Sequence, residues 1–407
     1  MTATLHRYRS RLGLIVLIFI AFIALGMPDG LLGIAWPSIR ADFGLPLDAL
    51  GMLLIASTSG YLTSSFSSGR LIGLFGVGKV LAASCALTGL ALLGYTLAPA
   101  WWTFVALGVA VGLGAGAIDA GLNTYVAAHF GEGLMQWLHA SYGVGVTLGP
   151  IIMTVGLTMF GAWRVGYTVV GVAQLVVAAA FVVTLPMWQR NDHRPAEASP
   201  QRLTDYRTPI GETLRRPAVW LSLLMFYLYV GAEASLGYWT YSLLTESRGM
   251  ATDVAGFWAG SYWATFTIGR ILAGLYTRRA GADTVVRGSL LAALAGAALL
   301  WWNPIPVASL IGVALVGFAI APIFPGLVSG TPNRVGPRYA ANTIGMQISA
   351  GGLGAATIPG FAGVLARRTS LEAIPPFITI ILALLLALYV LSMRPSAGRA
   401  AAEQLAS

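Results

Sequence analysis

Residues 188–217 read WQRNDHRPAEASPQRLTDYRTPIGETLRRP, and this is the only long hydrophilic stretch of the chain. It carries Arg190, Arg194, Arg202, Arg207, Arg215 and Arg216. On either side the sequence is dominated by apolar runs broken by polar residues, proline or glycine. A membrane helix needs about 20 apolar residues. Six such runs precede the stretch, at about 12–36, 48–72, 79–97, 101–127, 136–158 and 165–187. Six follow it, at about 218–243, 252–277, 284–302, 306–332, 340–366 and 373–393. The expected organisation is a six-helix half over 1–187, a cytoplasmic linker over 188–217 and a second six-helix half over 218–407.

Composition agrees with this division. Of 407 residues, 57% are hydrophobic and only 10% are charged, with a mean hydropathy of +0.76. Soluble domains carry about 25% charged residues, so this chain could not cover a water-facing surface. It reads as an all-α polytopic membrane protein with twelve transmembrane helices, which excludes soluble enzymes and nucleic-acid binders. Cys85 is the single cysteine, so no internal disulfide or Cys-based metal site is available. The basic start (Arg7, Arg9, Arg11) followed by an apolar run resembles a signal peptide. It lacks a small-x-small cleavage site and continues to about residue 36, so it reads as a retained first helix.

The net charge of +9 is a topology signal. With both termini inside, the tails and cytoplasmic loops hold 17 of the 24 Lys and Arg residues. The outer loops hold five: Arg40, Arg164, Arg248, Arg367 and Arg368. This asymmetry places both termini in the cytoplasm. The halves also look like repeats. Gly69-Arg70-Leu71-Ile72 returns as Gly269-Arg270-Ile271-Leu272; Asp29 with Gly33 returns as Glu233 with Gly237; Gly145 with Pro150 returns as Gly354 with Pro359. Two parallel six-helix repeats resemble the architecture of major facilitator transporters, whose substrate site lies at the midplane between the halves.

Three of the fifteen acids lie deep in apolar runs: Asp29, Asp119 and Glu233. A charge at the bilayer centre costs about 2.5–3.5 kcal/mol even on insertion scales. Protonation removes that cost, which is the physical requirement for proton coupling, and all three are candidates for it. At about 1.5 Å per residue, Asp29 lies nearer the outer side and Asp119 nearer the inner side. Arg70 and Arg270 are read at the cytoplasmic ends of the second and eighth helices, gating the inner side by capping helix C-termini.

Amides at lipid depth face the interior, because lipid cannot satisfy them. Asn123 lies one turn after Asp119 on the same face, and Asn342, Gln347 and Gln174 are the others. Sugars are bound by such amides with aromatic rings. Candidate rings are Trp36, Tyr61, Tyr142, Tyr238, Trp239, Tyr262, Trp263 and Phe324; the interfacial aromatic belt competes for the same residue types. The substrate-binding set is thus Asn123, Tyr142, Trp239, Trp263, Phe324, Asn342 and Gln347. His139 reads as a helix-packing histidine opening the fifth helix. Gly108-x3-Gly112-x3-Gly116 reads as a row of packing notches.

Three segments resemble the fucose-permease-like sugar/proton symporters of the major facilitator superfamily. They are Tyr229-Val230-Gly231-Ala232-Glu233-Ala234-Ser235-Leu236-Gly237-Tyr238-Trp239, Leu138-His139-Ala140-Ser141-Tyr142-Gly143-Val144-Gly145, and Ala321-Pro322-Ile323-Phe324-Pro325. The resemblance implies proton-coupling and sugar-recognising acids on the first and fourth helices, where Asp29 and Asp119 stand. The sequence departs at Asn123-Thr124-Tyr125, where the family tends to Asn-Pro, and at Gly73, where the superfamily's loop signature has its acid. In the second copy of that signature, Arg278 and Arg279 stand where Asp-Arg is expected.

The expected function is proton-coupled symport of a small hydrophilic solute, a monosaccharide above all, with no cofactor. The sequence admits sodium in place of the proton. A drug or metabolite/proton antiporter is the alternative, from the partial signature Gly145-x3-Gly149-Pro150. A non-transporting receptor has no need of three buried carboxyls. The expected setting is a bacterial-type cytoplasmic (inner) membrane, as a monomer without nucleic-acid partners.

Overall fold

A computed structural model describes residues 2–130, 132–191 and 208–393. Arg194, Arg202 and Arg207 of the linker, and the tail beyond 393, lie outside the described residues, as do the side chains of Arg190 and Arg278. Among the described residues there are twelve long helices and no strand. They are α1 (Thr2–Phe43), α2 (Leu50–Phe75), α3 (Val77–Leu97), α4 (Trp101–His129), α5 (Glu132–Phe160), α6 (Trp163–Asn191), α7 (Pro217–Ser242), α8 (Thr252–Ala280), α9 (Ala282–Trp302), α10 (Pro306–Ser329), α11 (Pro337–Arg368) and α12 (Ile374–Ser392).

Helix packing follows one scheme twice. In the first six helices α1 packs on α5, α2 on α4 and α3 on α6; in the last six α7 packs on α11, α8 on α10 and α9 on α12. Glycines permit the close approaches at corresponding places. Gly145 of α5 lies against the Ile23 carbonyl of α1, and Gly354 of α11 against the Tyr227 carbonyl of α7. Gly112 of α4 lies against the Ser57 carbonyl of α2, and Gly317 of α10 against the Tyr262 carbonyl of α8. Between helices in lipid, dispersion at such contacts carries the association. A side chain at Gly112 would enter the α2 backbone itself, and overpacking of this kind costs about 1–3 kcal/mol. Gly112→Leu is therefore expected to lower the detergent melting temperature and the yield of monodisperse protein on size exclusion.

Two prolines shape the centre. Pro28 in α1 has no N–H to offer the Ala24 carbonyl four residues back. Gln174 of α6 supplies the missing donor, its Nε2 standing 2.8 Å from that oxygen. The buried Gln174 predicted to face the interior thus repairs the helix beside Asp29. Pro322 breaks the run 306–332, which forms Pro306–Ile320 and Ile323–Ser329 with a separate short helix at Thr331–Val335. A single continuous tenth helix is the expectation this corrects. The reason is the missing N–H of Pro322 together with its ring.

The two sets of six helices meet most closely at the end opposite the linker. There Gly33 of α1 lies against Gly237 of α7, and Gly51 of α2 against Gly360 of α11. Two ion pairs bridge the sets at that end: Arg40 Nη2 to Glu246 Oε2 at 2.6 Å, and Arg367 Nη1 to Asp48 Oδ1 at 3.1 Å. Arg248–Glu372 at 2.8 Å and Arg164–Asp42 at 2.6 Å brace the same end within each set. At the other end, the short helix Ile210–Leu214 docks on the start of α11. Asn342 Nδ2 donates to the Thr208 carbonyl at 2.8 Å and to Thr213 Oγ1 at 3.1 Å, and Arg338 pairs with Glu212.

Candidate functional site

The three intramembrane carboxyls each face a tyrosine hydroxyl. Asp29 Oδ2 accepts from Tyr142 Oη at 2.6 Å, joining α1 to α5. Asp119 of α4 accepts from Tyr61 of α2, and its Oδ1 also accepts from Asn123 Nδ2 at 2.8 Å. Asn123, one turn on, donates to the Asp119 carbonyl as well, at 3.0 Å, so the amide fixes the direction of the carboxyl. Glu233 of α7 is hydrogen-bonded to Tyr229, one turn earlier on the same helix. Tyr262 of α8 donates to the Glu233 carbonyl at 2.9 Å.

These pairs belong to one electrostatic neighbourhood. Asp29 lies within electrostatic reach of Asp119, and the Tyr142 hydroxyl lies within reach of its partner Asp29 and, across the seam between the helix sets, of Glu233. Tyr238 of α7 lies in the field of Asp29. Asp29 is exposed although it sits mid-bundle, so this centre opens onto the space between the sets. Asp29 and Asp119 are not bonded to each other. Among the described residues, none of the five ion pairs includes Asp29, Asp119 or Glu233. The carboxyls rely on neutral O–H and N–H donors alone.

The hydrogen-bond count at Glu233 bears on its protonation. A tyrosine hydroxyl donates one hydrogen and accepts at its oxygen. Tyr229 Oη also stands 3.2 Å from the carbonyl of Ile320, the last residue of the segment Pro306–Ile320. With Glu233 protonated, the chain Glu233 O–H to Tyr229, Tyr229 O–H to Ile320 satisfies every member. With Glu233 ionised, one hydroxyl hydrogen faces two acceptors.

The other sequence-derived candidates are distributed more widely. Trp239 is fully buried, its Nε1 donating to the Pro359 carbonyl at 3.0 Å and its ring packed on Gly363. Trp263 is buried against Gly237, edge-on to Tyr262 at 4.9 Å. Phe324 is half-buried and edge-on to Phe226 at 5.2 Å, with Tyr229 at 6.1 Å. Gln347 is buried and exchanges hydrogen bonds with Thr331 Oγ1 at 3.0 and 3.1 Å. Asn342 holds the linker helix, as above, rather than reaching the carboxyl centre. Among the substrate-binding candidates, only Tyr142 and Asn123 touch a central carboxyl.

Arg70 lies exposed near the end of α2, five residues before Phe75. Arg270 is not at a helix end, because α8 continues ten residues beyond it to Ala280. The polar close Tyr276-Thr277-Arg278-Arg279 stays helical, which hydropathy alone does not register. The Arg270 guanidinium lies over the Phe266 ring at 4.4 Å. His139 is likewise inside α5, seven residues from its start, edge-on to Phe22 at 5.9 Å. The residues the sequence reading missed are Tyr229, as a carboxyl partner, and the cross-set ion pairs of Arg40 and Arg367. Tyr229 stands four residues before Glu233, a spacing that a helix places on one face.

The twelve-helix bundle with a polar centre between two similarly packed sets is, together with the family match, that of a polytopic membrane transporter and not an enzyme. The chain belongs to the Major Facilitator Superfamily, whose family model matches residues 17–359. It is 25% identical over 404 residues to bypass of stop codon protein 6 of Saccharomyces cerevisiae, covering 91% of this chain and 80% of that one. It is 23% identical to human sodium-dependent glucose transporter 1, covering 85% and 72%. Its fold matches the inward-facing, occupied structure of a bacterial homologue of the human lysosomal transporter Spinster, with a TM-score of 0.74 at 13% identity, covering 94% and 96%. It also matches the Escherichia coli fucose:proton symporter FucP (N162A), with a TM-score of 0.63 at 15% identity, covering 94% and 98%.

Proposed function

We propose that this protein is a proton-coupled symporter of a small hydrophilic solute, a monosaccharide or a close derivative. The observation that carries the reading is the set of three intramembrane carboxyls held by hydroxyl and amide donors, with no ion pair among the described residues. Such carboxyls can exist charged or neutral without breaking a salt bridge. Asp29 and Asp119 carry the proton in this scheme. Loading it from the outer side removes the cost of a buried charge while the halves close over the solute. Release follows when the centre opens to the more alkaline side. Tyr142, Tyr61 and Asn123 hold the two carboxyls in direction through both states.

The positive-inside bias sets the linker end in the cytoplasm. The tight end with Arg40–Glu246 and Arg367–Asp48 is then the outer gate, closed here. The names of two similar proteins, a sodium-dependent glucose transporter and a fucose:proton symporter, support a sugar as solute and leave two candidate coupling ions.

The test is uptake into proteoliposomes carrying a lumenal pH dye, with sodium present or replaced by choline. Solute-driven acidification of the lumen in choline is the expected result. Solute-driven alkalinisation, as an antiporter gives, or uptake that stops without sodium, would overturn proton symport.

A further inference from the structure

The seam between α5 and α8 brings a cation into the centre. Thr267 of α8 packs on Gly143, and its Oγ1 stands 3.2 Å from Thr147 Oγ1 of α5. One turn along α8 from Thr267 is Arg270; one turn back along α5 from Gly143 is His139. The same helix faces thus carry both towards the seam. The Arg270 guanidinium lies on Phe266 and acts electrostatically on His139 of α5, on Glu233 and Tyr229 of α7 and on Tyr262 of its own helix. Its Nε is buried with no hydrogen-bond partner, and among the described residues the group makes no ion pair. Glu233 is close enough to be felt but is bonded to Tyr229 instead.

Arg270 is half-buried, and a buried Nε–H without an acceptor is costly at this depth. The fork of N–H groups matches a carboxylate, which it can bind bidentately. We propose that the transported solute is a hydroxylated monocarboxylate of the sugar-acid class, and that Arg270 receives its carboxylate. This rests on the symport reading and names its substrate class. Glu233, neutral in the chain to Tyr229 and Ile320, leaves the Arg270 charge for the solute; ionised, it competes for that charge. One proton and one anion then cross together without net charge movement.

The probes are D-glucuronate, its uncharged methyl ester and D-glucose, tested by tryptophan fluorescence titration and uptake with the full-length protein in nanodiscs and proteoliposomes. The expected result is binding of glucuronate at least tenfold tighter than of the ester or glucose. Arg270→Gln should weaken glucuronate at least tenfold at an unchanged melting temperature, with Arg270→Lys between the two. Uptake under an imposed pH gradient should not respond to a valinomycin potential. Glucose or the ester binding as well as glucuronate, or glucuronate binding unchanged in Arg270→Gln, would overturn the inference while leaving sugar symport standing. Failure of all three probes to bind would overturn both readings. If Arg270→Gln does not fold, the ester comparison and the valinomycin response on the unaltered protein decide.

Discussion

Asp119→Asn is expected to abolish uphill accumulation of solute while leaving exchange of solute across the membrane largely intact. Asn keeps the size of the side chain and can still accept from Tyr61 or Asn123, so the packing of α2 on α4 at this point survives. What it loses is the ability to exist both charged and neutral. An imposed gradient of one pH unit is worth about 1.4 kcal/mol per proton, enough for about tenfold accumulation. The variant should accumulate nothing above equilibrium under that gradient. Counterflow of labelled solute against an internal excess should remain within about a third of the unaltered rate, since exchange needs only the loaded protein to reorient. Asp29→Asn, which keeps an acceptor for Tyr142 at the same place, should behave the same way. Tenfold accumulation by both variants would remove the two aspartates from coupling and leave Glu233 as the remaining intramembrane carboxyl.

The run pattern made the twelve helices legible because membrane helices must satisfy their backbone internally, so hydropathy alone marks them. Depth along the helices was harder to read. Arg270 reads as a helix-end residue because Gly269-Arg270 repeats Gly69-Arg70, whereas α8 continues ten residues beyond it to Ala280. The three carboxyls stood out because acids are rare at such depth; their partners did not. Tyr61 and Tyr142 invited a reading as rings, yet it is their hydroxyls that meet Asp119 and Asp29. No local pattern announces a contact between residues 58 or 113 positions apart. The same holds for Arg40 with Glu246 and Arg367 with Asp48, separated by 206 and 319 residues. Gln174 shows the intermediate case: its interior direction was predictable from lipid, but its bond to Ala24 depends on Pro28, an element of a different helix.

The pairing of Asp29-x3-Gly33 with Glu233-x3-Gly237 reads in the sequence as evidence of a repeat, and the structure gives the two glycines a second meaning. They lie against each other where α1 and α7 cross at the closed end. A Cβ on Gly33 would press into the Gly237 carbonyl, whose backbone cannot move aside as a flexible side chain could. Overpacking costs of about 1–3 kcal/mol apply here only to the state in which this end is shut. A bias of that size on a two-state equilibrium is about 5- to 150-fold in population. Gly33→Val is therefore expected to cut steady-state uptake by tenfold or more with little change in melting temperature, because the state with this end open loses nothing. The bias has a direct readout. Thr58→Cys in a Cys85→Ser background places a thiol on α2 near its contact with Gly352 of α11. A membrane-impermeant maleimide added from outside should label it faster when Gly33→Val is present. Equal labelling rates with normal uptake would mean that α1 and α7 separate and rejoin without this contact, and that the ion pairs Arg40–Glu246 and Arg367–Asp48 close the outer gate by themselves.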